Sequence, residues 1–123
     1  VELADEPLET VALLSGCERV KQELSRFSDW DVSVMTAISH AESTLNGVEC
    51  DATATGDKPL AYYQNGRLYG YSVSALQVRI LPGREACDTY DLTVNVECAH
   101  NIWLGQGYNA WTMYTNNEYK KYL

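Results

Sequence analysis

Apolar residues along the chain fall into blocks with helical spacing, separated by polar stretches rich in turn-forming residues. Residues 1–6 are polar and acidic and are read as a flexible arm. From Pro7, which suits a first helical turn, Leu8, Val11, Leu14, Val20 and Leu24 keep an approximately helical spacing as far as Phe27. Gly16 lies inside that block and is expected to interrupt the helix or split it in two. The next block is the clearest. Asp29 or Asp31 caps a helix that runs through Val32, Met35, Ile38 and Ala41, and Asn46-Gly47 ends it.

A loop rich in Thr, Asp and Gly follows over residues 49–59. Tyr62-Tyr63-Gln64 and Arg67-Leu68-Tyr69 flank Asn65-Gly66, and Asn-Gly fits the type I′ turn that right-twisted hairpins need. Residues 72–80 form a short apolar segment that Pro82-Gly83 breaks. A third helix starts near Asp91, carries Leu92, Val96, Ala99 and Trp103 on one stripe, and stops around Gly105 or Gly107. Residues 110–114 and 118–123 read as short helical pieces around Asn116-Asn117. The fold class is therefore α+β, mostly α, with one small β-hairpin.

With 123 residues the chain is expected to form a single domain over 1–123. No apolar run reaches the roughly 18–20 residues that span a bilayer, so no membrane insertion by this domain is expected. Any leader or anchor that once preceded Val1 is expected to have been removed. The net charge of −8 argues against nucleic acid, whose phosphates it could not neutralise. It argues equally against adhesion to anionic surfaces. Nothing in the pattern asks for a second subunit, and a monomer is expected.

The four cysteines, Cys17, Cys50, Cys87 and Cys98, are not in C-x-x-C pairs, and neither His40 nor His100 stands at zinc-ligand spacing from them. No metal and no cofactor is expected. Reduced core thiols in a cytosolic protein are one reading. An even count in a short chain points instead to two disulfides and a secreted or extracytoplasmic location. Of the three possible connectivities, Cys17–Cys50 with Cys87–Cys98 is the one expected.

Glu42 is the residue with chemistry in it. It follows Met35 and Ile38 at i+7 and i+4, so it continues the apolar stripe of its own helix. Desolvation there raises a carboxyl pKa, and an acid still protonated near neutral pH is what a glycosidic oxygen needs. The competing reading is a helix-end glutamate that reaches solvent or caps a nearby amide.

The run Met35-Thr36-Ala37-Ile38-Ser39-His40-Ala41-Glu42-Ser43 resembles the A-I-x-x-x-E-S signature of the goose-type lysozyme and soluble lytic transglycosylase family. Ser72-Val73-Ser74-Ala75-Leu76-Gln77-Val78 is similar to its S-x-G-L-x-Q-I segment, which borders the sugar groove. Asn95, Ala99, Trp111, Tyr114, Tyr119, Tyr122 and Leu123 match the N-x-x-A-A, W-x-x-Y and Y-x-x-Y-L elements of small phage and bacterial members. The resemblance covers roughly residues 29–123. Ser74 and Ala75 replace the motif's glycine and leucine, and Thr115 and Asn117 replace its later asparagine and glycine.

The resemblance implies a lysozyme-like fold and a peptidoglycan lytic transglycosylase or muramidase. The bond cut would be the β-1,4 link between N-acetylmuramic acid and N-acetylglucosamine. Glu42 would be the catalytic acid and Ser43 would position it, with Gln77 and Tyr114 as further sugar-binding candidates. Tyr69 is a sugar-binding candidate from its place near the hairpin. Tyr62, Tyr63 and Tyr71 lie near the hairpin too, and packing in a small core explains any of these tyrosines equally well. Glycosidases generally use two carboxylates, and Glu49, Asp51 and Asp57 follow Glu42 in the loop. Relatives with transglycosylase chemistry manage with one glutamate, the sugar's own 6-hydroxyl attacking. Two other functions stay open: a catalytically weakened peptidoglycan-binding relative, and a small disulfide-bonded domain that binds protein.

Overall fold

A computed structural model describes residues 15–45 and 47–123. The arm over residues 1–6, the start of the first apolar block and the Asn46 helix stop lie outside the described residues. Helix α1 spans Gly16–Leu24 and opens on a capping box. The Glu18 amide donates to Ser15 Oγ over 3.2 Å, while the Ser15 amide donates to Glu18 Oε1 over 3.0 Å. Gly16 is thus the first residue of this helix, and the half of the block that would precede a split lies outside the described residues. A Cβ there would stand 2.1 Å from the Glu49 carbonyl oxygen, so glycine lets the loop after the next helix press onto α1.

Helix α2 spans Val32–Ser43, and its N-cap is Asp31, whose side chain accepts from the Val34 amide over 3.0 Å. It buries Met35, Ala37, Ile38, Ser39 and Ser43. Helix α3 spans Leu92–Gln106, is capped by Asp91 and stops at Gly107, where φ is 67°. After a 3-10 turn at Gly107–Ala110 comes the short helix α4, Thr112–Thr115, and a last 3-10 turn at Glu118–Tyr122. Val20 and Leu24 of α1, Met35 and Ile38 of α2, and Val96 and Ala99 of α3 meet Leu76 and Trp111 in one core.

Strands β2, Tyr62–Gln64, and β3, Arg67–Tyr69, form the expected antiparallel hairpin, with Gln64 opposite Arg67. Asn65 and Gly66 have φ of 52° and 77°, the left-handed pair that a type I′ turn requires. The apolar segment at 72–80 hides a second sheet. Strands β1, Thr55–Gly56, β4, Ser72–Val73, and β5, Val78–Arg79, pair antiparallel in the order β1-β4-β5. The architecture is mixed α+β.

Two disulfides close the structure in the expected pairing. Cys17–Cys50 ties α1 to the loop after α2 with 5.0 Å between Cα atoms, and Cys87–Cys98 ties the 3-10 turn at Glu85–Cys87 to α3 with 6.1 Å. No helix among the described residues is long and apolar enough to cross a membrane.

Candidate active site

The site is assembled around the turn at residues 74–77, between β4 and β5. A tight turn leaves buried backbone groups that no strand ladder satisfies, and buried groups without partners are costly. Three side chains from elsewhere supply the partners. Ser39 Oγ of α2 donates to the Ala75 carbonyl over 2.8 Å, and Trp111 Nε1 donates to the Leu76 carbonyl over 2.8 Å. Asn95 of α3, fully buried, accepts from the Leu76 amide over 2.9 Å and donates to the Val73 carbonyl over 3.1 Å. Helices α2 and α3 and the segment before α4 are thereby locked to one turn.

This clamp places Gln77. Its backbone is left-handed with φ of 47°, and its Nε2 donates to the carbonyls of Ser74 at 2.8 Å and Ala54 at 3.2 Å. Its Oε1 lies against the backbone of Gly56, where a Cβ would come within 2.2 Å of it. Ser74, at the motif's glycine position, also has positive φ, 68°, and its buried hydroxyl has no hydrogen-bond partner. The local conformation is one that glycine adopts more easily.

Against this turn opens a cleft of about 380 Å³, lined by Glu42, Asp57, Ser72, Gln77, Trp111 and Met113 among others. Glu42 enters from the last turn of α2. Burial pushes its pKa from the ordinary 4.5 up to about 7. The Met113 amide, donating to Oε2 over 3.4 Å, pulls it down, and the charge of Asp57 adds a smaller upward push. The first amides of a helix lack intrahelical acceptors, and Met113 is in the first turn of α4, so the carboxyl fills a vacant acceptor position. Asp57, with φ of 55°, accepts from Ser72 Oγ over 2.6 Å at the sheet side of the cleft.

Of the three loop acids, the structure brings Asp57 alone to the cleft lining. Asp51 accepts from the Thr53 amide and hydroxyl, and Glu49 lies 3.9 Å from His40. Gln77 shares the cleft with Glu42. Three other residues expected near the sugar do not line it. Tyr114, a sugar-binding candidate by its motif position, has its ring stacked between Tyr108 at 5.2 Å and Tyr119 at 4.9 Å. Tyr69 is buried and donates its hydroxyl to Glu85 Oε2 over 2.8 Å. Ser43, also buried, donates to the Ser39 carbonyl over 2.7 Å and so braces the end of α2. In each case aromatic packing or a local acceptor has claimed the side chain.

Arg79, Arg84 and Met113 line the cleft without having been singled out in the sequence. Only Arg79 carried a local signal, since it follows Gln77 by two in an apolar strand. Ligand atoms of Cys17, His40 and Glu49 lie within 4.8 Å of one another, but the Cys17 sulfur is bonded to Cys50 and offers no thiolate. Compared with family models, with curated proteins and with solved structures, this chain finds no match.

Proposed function

We propose that this protein cleaves the β-1,4 bond between N-acetylmuramic acid and N-acetylglucosamine in peptidoglycan, with Glu42 as general acid and then base. The observation that carries the reading is a largely buried carboxyl with its pKa near 7, set in a cleft whose lining includes a second, exposed carboxylate. Positive φ at Asp57, Ser74 and Gln77 supports it, because strained non-glycine backbone gathers at functional sites. The motif resemblance supplies the substrate, and the two disulfides support an extracytoplasmic location.

In the first step Glu42 gives its proton to the glycosidic oxygen as the bond to the anomeric carbon breaks, leaving oxocarbenium character on the sugar. The Glu42 carboxylate then takes a proton from the attacking hydroxyl. If that hydroxyl is the sugar's own at position 6, the product is a 1,6-anhydro end. If it is water, the product is a reducing end. Asp57 faces the same space and is the group placed to stabilise the cation or orient a water, so its presence favours hydrolysis over the single-acid route. Mass spectrometry of digested peptidoglycan tests both points. Anhydro or reducing muropeptides support the reading and separate the two chemistries, while intact glycan strands overturn it. Retention on insoluble peptidoglycan without cleavage would mark a binding-only protein.

A further inference from the structure

The cleft is bipolar. Its lining includes the acidic residues Glu42 and Asp57 and the basic residues Arg79 and Arg84. Among the described residues Arg26, Arg67 and Lys121 reach a carboxylate within 4.0 Å. Among the described residues no carboxylate stands within 4.0 Å of Arg79 or Arg84. Both are nevertheless held in place. Arg79 Nε donates to the Gly70 carbonyl over 2.9 Å, leaving its two Nη groups uncommitted. Arg84 Nη1 donates to the Arg79 carbonyl over 3.2 Å, and the turn that carries it is closed by the Arg84 amide donating to the Leu81 carbonyl over 2.8 Å. Fixed guanidinium groups with free donors are suited to planar, two-point recognition of a carboxylate.

Resting on the peptidoglycan reading above, we propose that Arg79 and Arg84 form a subsite for a carboxylate carried by the glycan strand, making the cleft selective for acidic over neutral amino-sugar polymers. Two sources on such a strand share this chemistry: the lactyl ether acid of the sugar itself, and the carboxylates of an attached stem peptide. A neutral strand with the same β-1,4 backbone offers neither.

Binding to the whole protein is the test, because it does not require turnover. Affinity is measured for three probes: a muramic-acid disaccharide with its lactyl carboxylate free, a disaccharide-peptide, and a neutral N-acetylglucosamine oligomer. At least one acidic probe is expected to bind about tenfold tighter than the neutral one, with the advantage shrinking at high salt. The double variant Arg79→Gln/Arg84→Gln should erase that advantage while its affinity for the neutral oligomer holds. Arg79→Lys/Arg84→Lys, which keeps the charge but loses the planar fork, should keep part of it. The ratio is read within each variant, so a general loss of stability does not imitate the result. Whichever acidic probe carries the advantage identifies the source. Equal affinity for all three probes overturns the proposal, as does a preference that survives the glutamine variant. If no strand is cut but the arginine-dependent preference remains, the cleavage reading fails and this subsite stands. If strands are cut without the preference, the reverse holds.

Discussion

The Met113 amide donates to Glu42 Oε2 over 3.4 Å, and so joins the short helix after Trp111 to the end of α2 across 71 residues of sequence. The contact favours the ionised carboxylate, whereas burial favours the acid, and burial prevails, leaving the pKa at about 7. A proton held this way is available for donation at neutral pH and is progressively lost above it.

Glu42→Gln is expected to abolish strand cleavage and leave the fold intact, since the amide keeps the shape and an acceptor for Met113 but has no acidic proton. Muropeptide release and circular dichroism check this. Full activity in the variant would remove Glu42 from the mechanism.

The same substitution should change how stability depends on pH. The unfolded carboxyl titrates near 4.5 and the folded one near 7, so between those values the unfolded chain has released a proton that the folded protein keeps. Glu42 therefore makes stability fall as pH rises across that window, with the full loss present above it. Glu42→Gln should melt close to wild type at pH 4 and above it at pH 8, by at most about 3 kcal/mol. A difference that does not vary with pH would contradict the burial argument.

Asp57→Asn should move the Glu42 titration toward lower pH, because the Asp57 charge holds it up, while a side-chain oxygen remains for Ser72. Carboxyl carbon shifts from NMR would follow this directly. If Asp57 also stabilises the cation, activity falls at every pH. An activity profile merely displaced to lower pH would limit Asp57 to its electrostatic effect on Glu42.

Ser74→Gly is expected to stabilise the protein by about 1 kcal/mol. It relieves the left-handed backbone at φ 68° and removes a buried hydroxyl without a partner. Against these gains stand the greater freedom of glycine in the unfolded chain and the small void left behind. Denaturant unfolding with the disulfides intact gives the value, and Ser74→Ala separates the hydroxyl's share from the backbone's.

Removing the Cys17–Cys50 bridge, which spans 33 residues, should cost about 4 kcal/mol on the chain-entropy model. Removing Cys87–Cys98, which spans 11, should cost about 3. Paired Cys→Ser variants compared by thermal unfolding test the order.

Much of the local structure was written in the residue pattern. Asp31 and Asp91 announce α2 and α3 because a side-chain acceptor before an apolar stripe satisfies the first free amides. Asn65-Gly66 fixes the hairpin because the turn needs two left-handed residues. Glu42 stood out for a local reason as well, since its spacing from Met35 and Ile38 places it on the helix face that is buried. Other features depend on partners distant in sequence. Residues 72–80 look like one apolar segment until Ser39, Asn95 and Trp111 clamp their turn from three other elements. Asp57 could not be told from Glu49 or Asp51, because three loop acids look alike until the β1-β4 pairing carries one of them to the cleft. Tyr114 keeps its place in the motif but lies in an aromatic stack, because nearby rings gain more from packing on one another than from lining a wet groove. Caps, turns and stripes are short-range physics and can be read from the chain. Which acid faces which, and which guanidinium meets no carboxylate among the described residues, is decided only when the packed elements meet.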